Sequence, residues 1–405
     1  MNAVSFYFQV HQPYRIRKYG FFDMGQYHDY FDSEKNLQIL NKVSEKCYLP
    51  ANETFYNLIK KYKGEFKISY SISGVFLEQL ETWRTDVLDS FKKLVDTGCV
   101  ELLAETYYHS LSLLYSKDEF NSQVQQHEDI IKKHFGVKPK VFRNTELIYN
   151  NDIARHVSSL GYKGIIAEGV DRILQGRTPN YIHHPKGLND FPILLKNYKL
   201  SDDIAFRFSN KQWDDYPLSA DKFASWVHAI AGSGDVVNLF MDYETFGEHQ
   251  WADTGIFNFL EHLPEKIYQH PDFKFLTPSE VIDTFPIRGD YNVEGITSWA
   301  DEERDLSAWR SNAIQHESLR RIFDLEHPVK MLGDKSLLDD WRKLTTSDHY
   351  YYMCTKFWND GDVHKYFSPY DTPLDGYINF INALNDLESR LEKAYNSELQ
   401  LIKRR

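Results

Sequence analysis

Cysteine is scarce in this chain, with three residues in 405, at Cys47, Cys99 and Cys354. Few, odd in number and widely spaced, they exclude a disulfide framework, spell no metal motif and point to a reducing compartment. Long apolar runs are also missing. None approaches the roughly 20 residues that a helical membrane span needs, so no membrane partner is expected. The first residues, Met1-Asn-Ala and then Val4-Ser-Phe-Tyr-Phe-Gln-Val10, carry neither a basic leader nor a small-residue cleavage site, so no signal peptide is read and a cytoplasmic protein is expected. Positive charge is short as well. The formal net charge is −12, which excludes a nucleic-acid partner because phosphate binding needs a basic face. The basic run Lys403-Arg404-Arg405 reads as a solvated tail. There is no internal repeat and no low-complexity segment.

What the chain has in quantity is aromatic side chains, 15% of all residues. Most belong to a core, yet such a composition also supplies the flat apolar faces against which sugar rings stack. The length exceeds the usual size of one core, and the pattern divides it: a larger domain over 1–290 and a helical one over 291–405. In the first part, short apolar runs alternate with amphipathic stretches. Strands are predicted at 4–10, 66–71, 100–104, 140–143, 164–167, 236–241 and 273–276. Helices fall between several of them, at 75–97 with Gly98 as C-cap, at 118–134, and at 219–231 with Ser219 as N-cap and Gly232 beyond its end. Strands separated by helices mean βαβ units and a parallel sheet, closed or open. The stretch 176–218 breaks the alternation and reads as a long excursion on the rim. Beyond about Tyr291, helices are predicted at 305–325, 335–345 and 377–402.

The chemistry collects where predicted strands end. Val236-Val-Asn-Leu-Phe-Met-Asp242-Tyr-Glu244-Thr-Phe-Gly-Glu-His249 is an apolar run of the kind buried on both faces, and it stops in three carboxylates and a histidine. Lys138-Pro-Lys-Val-Phe-Arg143-Asn-Thr-Glu146 repeats the arrangement. Acids just past strand ends sit where α/β barrels keep their chemistry, and two carboxylates on one rim are the minimum equipment of a glycoside hydrolase. Asp242, first beyond its run, is expected deepest. Glu244 is expected on the same side as Asp242 if the chain stays extended, where like charge and burial would raise a carboxyl pKa as a general acid requires. Arg143 close to Glu146 would hold that carboxylate ionised, as suits a nucleophile, or would form a structural ion pair with it. His11-Gln12 after the first strand, with Glu105 and His109 in Ala104-Glu105-Thr-Tyr107-Tyr108-His109 after the third, are candidate partners of substrate hydroxyls; Tyr107 and Tyr108 read as packing. Trp299, in a polar setting, is a candidate to stack on a sugar. Trp309 and the pair Asp348-His349 complete the candidates, and without a second spaced histidine or carboxylate that pair is not read as a metal site.

Taken in order, His11-Gln-Pro, Glu105-Thr-Tyr-Tyr-His109, Arg143-Asn-Thr-Glu146, Asp242-Tyr-Glu-Thr-Phe-Gly247 and the Trp299 to Trp309 segment resemble glycoside hydrolase family 57, the α-amylase and 4-α-glucanotransferase family. The resemblance implies a distorted, TIM-like (β/α)7 barrel followed by a C-terminal helical domain, and a retaining mechanism on α-glucans or maltooligosaccharides without a metal or other cofactor. It makes Glu146 the nucleophile and Asp242 the acid/base, with His11, Gln12, Glu105, His109, Arg143, Glu244, Trp299, Trp309, Asp348 and His349 as substrate-binding residues. Ser347-Asp-His-Tyr-Tyr-Tyr-Met353 is similar to the α-amylase group. Arg143-Asn-Thr departs from the pattern, since many members begin that motif with Trp. The rivals are 4-α-glucanotransferase or debranching activity on the same scaffold, a metal-dependent polysaccharide deacetylase, for which no metal set is read at the strand ends, and a glucan-binding protein without turnover.

Overall fold

The computed structural model describes residues 1–356 and 368–403, which leaves Arg404 and Arg405 of the basic run outside the described residues. Two compact units separate: one of Met1–His11, Ile39–Glu105 and Val124–Trp299, the other of Gln12–Gln38, Thr106–Gln123 and the chain from Ala300 onward. Among the described residues the strands are β1 (Asn2–Val10), β2 (Ile68–Ile72), β3 (Val100–Leu102), β4 (Val141–Arg143), β5 (Gly164–Glu168), β6 (Ile182–His184), β7 (Ile193–Lys196), β8 (Val236–Asp242), β9 (Phe273–Phe275) and β10 (Ile287–Asp290).

All strands lie in the first unit, and seven of them close into a ring. β1 pairs in parallel with β2 and β8, and β2 with β3; β5 pairs in parallel with β4 and β7. Two backbone joints link these sets. The Ala104 N–H donates to the Val141 carbonyl at 3.0 Å and the Arg143 N–H to the Ala104 carbonyl at 2.8 Å, while the Asn197 N–H donates to the Asn238 carbonyl at 2.9 Å. The order β1-β2-β3-β4-β5-β7-β8-β1 is the (β/α)7 barrel, distorted where short joints replace full ladders.

Membership of the ring differs from the sequence reading in two places. Ile193–Lys196 lies inside the stretch read as a rim excursion; its apolar run is only three residues long and follows Pro192, too little for periodicity to register. Residues 273–276, read as a seventh strand, give β9, which pairs only with the first residues of β1, from Asn2↔Phe273 to Val4↔Phe275. The predicted helix 75–97 is two helices, Gly74–Trp83 and Thr85–Val95, broken at Arg84 where φ/ψ is −141°/63°. Ser219 caps its helix as expected, accepting from the Lys222 N–H at 3.2 Å.

Side-chain parity explains the layers. In β1, Val4, Phe6, Phe8 and Val10 join a large core with the surrounding helices. Ala3 and Tyr7 turn the other way and meet Val141, Ile166, Leu194, Val236 and Phe240 in the interior. Alternation every second residue puts these on one face of their strands. In the second unit the helices Ser307–Arg310, Ala313–Asp324, Lys335–Leu344 and Pro373–Lys403 replace strands altogether. Among the described residues no helix is long and apolar enough to cross a membrane.

Candidate active site

Extending the interior parity to the carboxyl ends of the strands predicts which polar side chains point inward. From Tyr7 it leads to Gln9, from Leu103 to Glu105, from Val141 to Arg143, from Ile166 to Glu168, from Leu194 to Lys196, and from Phe240 to Asp242. The contacts agree. Arg143, fully buried, faces the equally buried Glu105 at 3.6 Å and donates to Gln9. Gln9 is the register partner of Asp242 across β1 and β8. Glu168 is the register partner of Lys196 across β5 and β7, and the Lys196 ammonium lies 3.5 Å from it and 3.0 Å from Asp202. Burial pushes the Tyr7 phenol up; Arg143 opposes the rise, whereas Glu105 and Asp242 add to it. One end of the barrel thus carries a ring of alternating acids and bases in a low-dielectric setting.

Glu146 reaches this end differently. It follows β4 in a single 3-10 turn, Thr145–Leu147, and adopts φ 57°, ψ 26°; Leu147 is also left-handed at φ 50°. Such backbone costs of order 1–3 kcal/mol per residue and persists only where its surroundings hold it. Here the hold is a short antiparallel pairing: Tyr149 and Thr297 exchange both backbone hydrogen bonds at 2.9 Å, and the Trp299 N–H donates to the Glu146 carbonyl at 3.2 Å. The same segment aims the Trp299 indole N–H at a Glu146 carboxylate oxygen, 2.6 Å away. Arg143 and Lys196 each approach the Trp299 ring, both 5.4 Å from its centroid.

One expected relationship changes. The chain does not stay extended after Asp242: it turns into a 3-10 helix at Tyr243–Thr245, so alternation no longer carries Glu244 to the Asp242 side. Glu244 instead accepts from the Tyr48 hydroxyl. Tyr243, between them, is buried and donates to Asn52 at 2.6 Å.

His11 stands at the end of β1 with its Nδ1 2.6 Å from the Ser73 hydroxyl. The other candidates belong to the second unit. His109, in left-handed backbone at φ 51°, is buried, and its carbonyl accepts from the Ser347 N–H at 2.9 Å; this pairing brings a His109 ring nitrogen within 4.8 Å of an Asp348 carboxylate oxygen. Gln12 accepts from Arg15 at 2.9 Å. Trp309 is buried against Tyr351, and His349 packs on Phe380 with its Nε2 3.1 Å from the Lys343 carbonyl.

Sequence reasoning overlooked Glu168 and Lys196. The signal was present: each ends an apolar run, Gly-Ile-Ile-Ala-Glu168 and Ile-Leu-Leu-Lys196, as Asp242 ends its own. It also passed over Tyr48, for which no local pattern exists, because its partner lies 196 residues away.

A parallel barrel that buries acids and bases at the carboxyl ends of its strands has the architecture of a barrel enzyme. Comparison with known proteins narrows the class. The chain belongs to glycosyl hydrolase family 57, whose family model matches residues 5–294. It is 45% identical over 402 residues, 95% of this chain and 84% of the other, to a Methanocaldococcus jannaschii protein with an inferred alpha-amylase designation. Among solved structures it resembles a GH57-type branching enzyme from Pyrococcus horikoshii, with a TM-score of 0.72, 16% identity and coverage of 98% of this chain and 91% of that one. It also resembles the 4-alpha-glucanotransferase from Thermococcus litoralis, with a TM-score of 0.67, 16% identity and coverage of 94% and 59%. The chain therefore spans under two thirds of that transferase. These likenesses establish the fold and an enzyme of the glycoside hydrolase class.

Proposed function

We propose that the protein is a retaining, α-amylase-type glycosidase that cleaves α-1,4-glucans or maltooligosaccharides, with Glu146 as nucleophile and Asp242 as acid/base. The observation that carries this reading is the Glu146 carboxylate, presented on a left-handed turn and held by the Trp299 indole at 2.6 Å. That hydrogen bond fixes one of its oxygens and with it the direction in which the carboxylate faces. Glu146 attacks the anomeric carbon, the bond to the departing oxygen breaks, and the Asp242 proton goes to that oxygen. The β-glucosyl ester so formed is cleaved when Asp242, now a carboxylate, takes a proton from water and the water oxygen attacks the same carbon. Retention requires the two carboxyl groups about 5–5.5 Å apart. Glu105, Arg143 and His11, at the same strand ends, are suited to substrate hydroxyls.

A sugar hydroxyl in place of water turns the second step into transfer, and the two structural neighbours named as transferase and branching enzyme favour that as the second reading. Incubation with maltoheptaose separates them. Shorter oligosaccharides alone mean hydrolysis; longer products alongside glucose or maltose mean transfer. Glu146→Gln is expected to lose at least about 10³-fold in rate, and near-normal turnover by that variant would overturn the assignment.

A further inference from the structure

Lysine is almost never buried this deeply unless it is paired, and Lys196 is 5% exposed with two carboxylates around it. A hydrophobic residue of similar size is often no worse for stability than a buried ion pair, so stability alone does not explain a cation here. Its surroundings do. The ammonium lies over the Trp299 ring, within the range of a cation–π attraction, and that indole is the group that donates to Glu146. The position of Lys196 is fixed in turn. Glu168 sits opposite it in register, and Glu168 accepts from the Gly169 N–H at 3.0 Å. The β5 end runs so close to β7 that a Cβ on Gly169 would lie 2.4 Å from the Lys196 carbonyl oxygen.

We propose that Lys196 is a positioning residue for Glu146, acting through the Trp299 indole, with Glu168 setting where Lys196 stands. Cationic charge near the ring face holds the indole plane and makes its N–H a stronger donor to a carboxylate. Glu146, on strained backbone, is thereby kept in one orientation. The inference rests on the reading of Glu146 as nucleophile.

Lys196→Met alone would leave buried carboxylates without their cation and endanger folding. The test variant is therefore Lys196→Met with Glu168→Gln, compared with Lys196→Arg, and two readouts are taken. The first is the Trp299 indole proton resonance in protein labelled with 15N-tryptophan, assigned through Trp299→Phe. The second is kcat and KM on maltoheptaose. The indole resonance is expected far downfield in the wild type and upfield of that in both Glu146→Gln and the double variant. The double variant is expected to lose about tenfold in kcat, as for a slightly misplaced reacting group, with KM within about twofold, and Lys196→Arg to restore both readouts. A folded double variant with the wild-type resonance and kcat, or with only KM raised, would overturn the proposal. Should the double variant not fold, Glu168→Gln, which leaves Lys196 its Asp202 partner, gives the same readouts in smaller measure, and an unmoved resonance there counts against it. Turnover by Glu146→Gln would instead refute the nucleophile assignment, and the response of the indole to Lys196 would still be read.

Discussion

His183 shows how one buried side chain couples this fold to pH. It lies on β6, almost wholly buried, with its Nδ1 2.9 Å from the Tyr181 carbonyl. Burial, partly offset by that hydrogen bond, lowers its pKa from 6.5 to about 4. The folded state therefore favours the neutral ring. The stability this contributes is complete above the unfolded pKa near 6.5 and is lost as pH falls through the folded value near 4. By pH 4 the loss from this residue is on the order of 2–3 kcal/mol. His249, pushed down to about 4 by burial and by Lys42, and His127, lowered by burial against the pull of Glu105, act in the same direction. Thermal unfolding across pH 7 to 4 is expected to show a flatter decline in Tm for His183→Gln than for the wild type; parallel curves would refute this account. The same scale explains Trp299, read from its polar setting as a sugar platform. Its N–H is engaged by Glu146, a contact between positions 153 apart, beyond what local sequence can disclose.

At the scale of elements, the motif after β8 owes its form to the helical segment it packs against. Gly247 has φ 115°, and a Cβ there would lie 1.8 Å from the Lys46 carbonyl oxygen. Tyr48 from that segment holds Glu244, Lys42 and Lys46 hold Glu248, and the Cys47 thiol donates to the Tyr243 carbonyl at 3.2 Å. Gly247→Ala combines forbidden backbone with a backbone clash and is expected to cost at least about 2 kcal/mol. A urea midpoint equal to that of the wild type would contradict it. Element by element, the parallel character and the acids at strand ends were legible because buried parallel strands read as continuous apolar runs. All seven predicted strands form, but 273–276 lies outside the ring as β9, and its place within the ring is taken by Ile193–Lys196, which was missed. A four-residue strand after a proline has too short a period to read, and only its register partner Glu168 makes Lys196 meaningful. The turn at Tyr243 escaped for a similar reason: its cause, the contact with Tyr48, is remote in sequence.

At the scale of the whole molecule, ring closure does the chemical work. Five inward side chains, Gln9, Arg143, Glu168, Lys196 and Asp242, come from five strands whose register rather than loop conformation sets their spacing, and Glu105 follows directly on the Ala104–Phe142 bridge. A site built on strands holds reacting groups more closely than one built on loops, and Glu146, carried on a turn, is tied down by Trp299. For the proposed two-step displacement, such anchoring would keep the nucleophile from wandering. The order of five short motifs pointed to the family before any fold was in view, whereas the buried charge network that orients them could be read only once the strands were closed into a ring. The central claim is retention, and the most direct measurement is a proton NMR time course of maltoheptaose cleavage begun within the first minutes, before mutarotation. The account predicts that the newly formed reducing ends appear first as the α-anomer; first appearance of the β-anomer would contradict it.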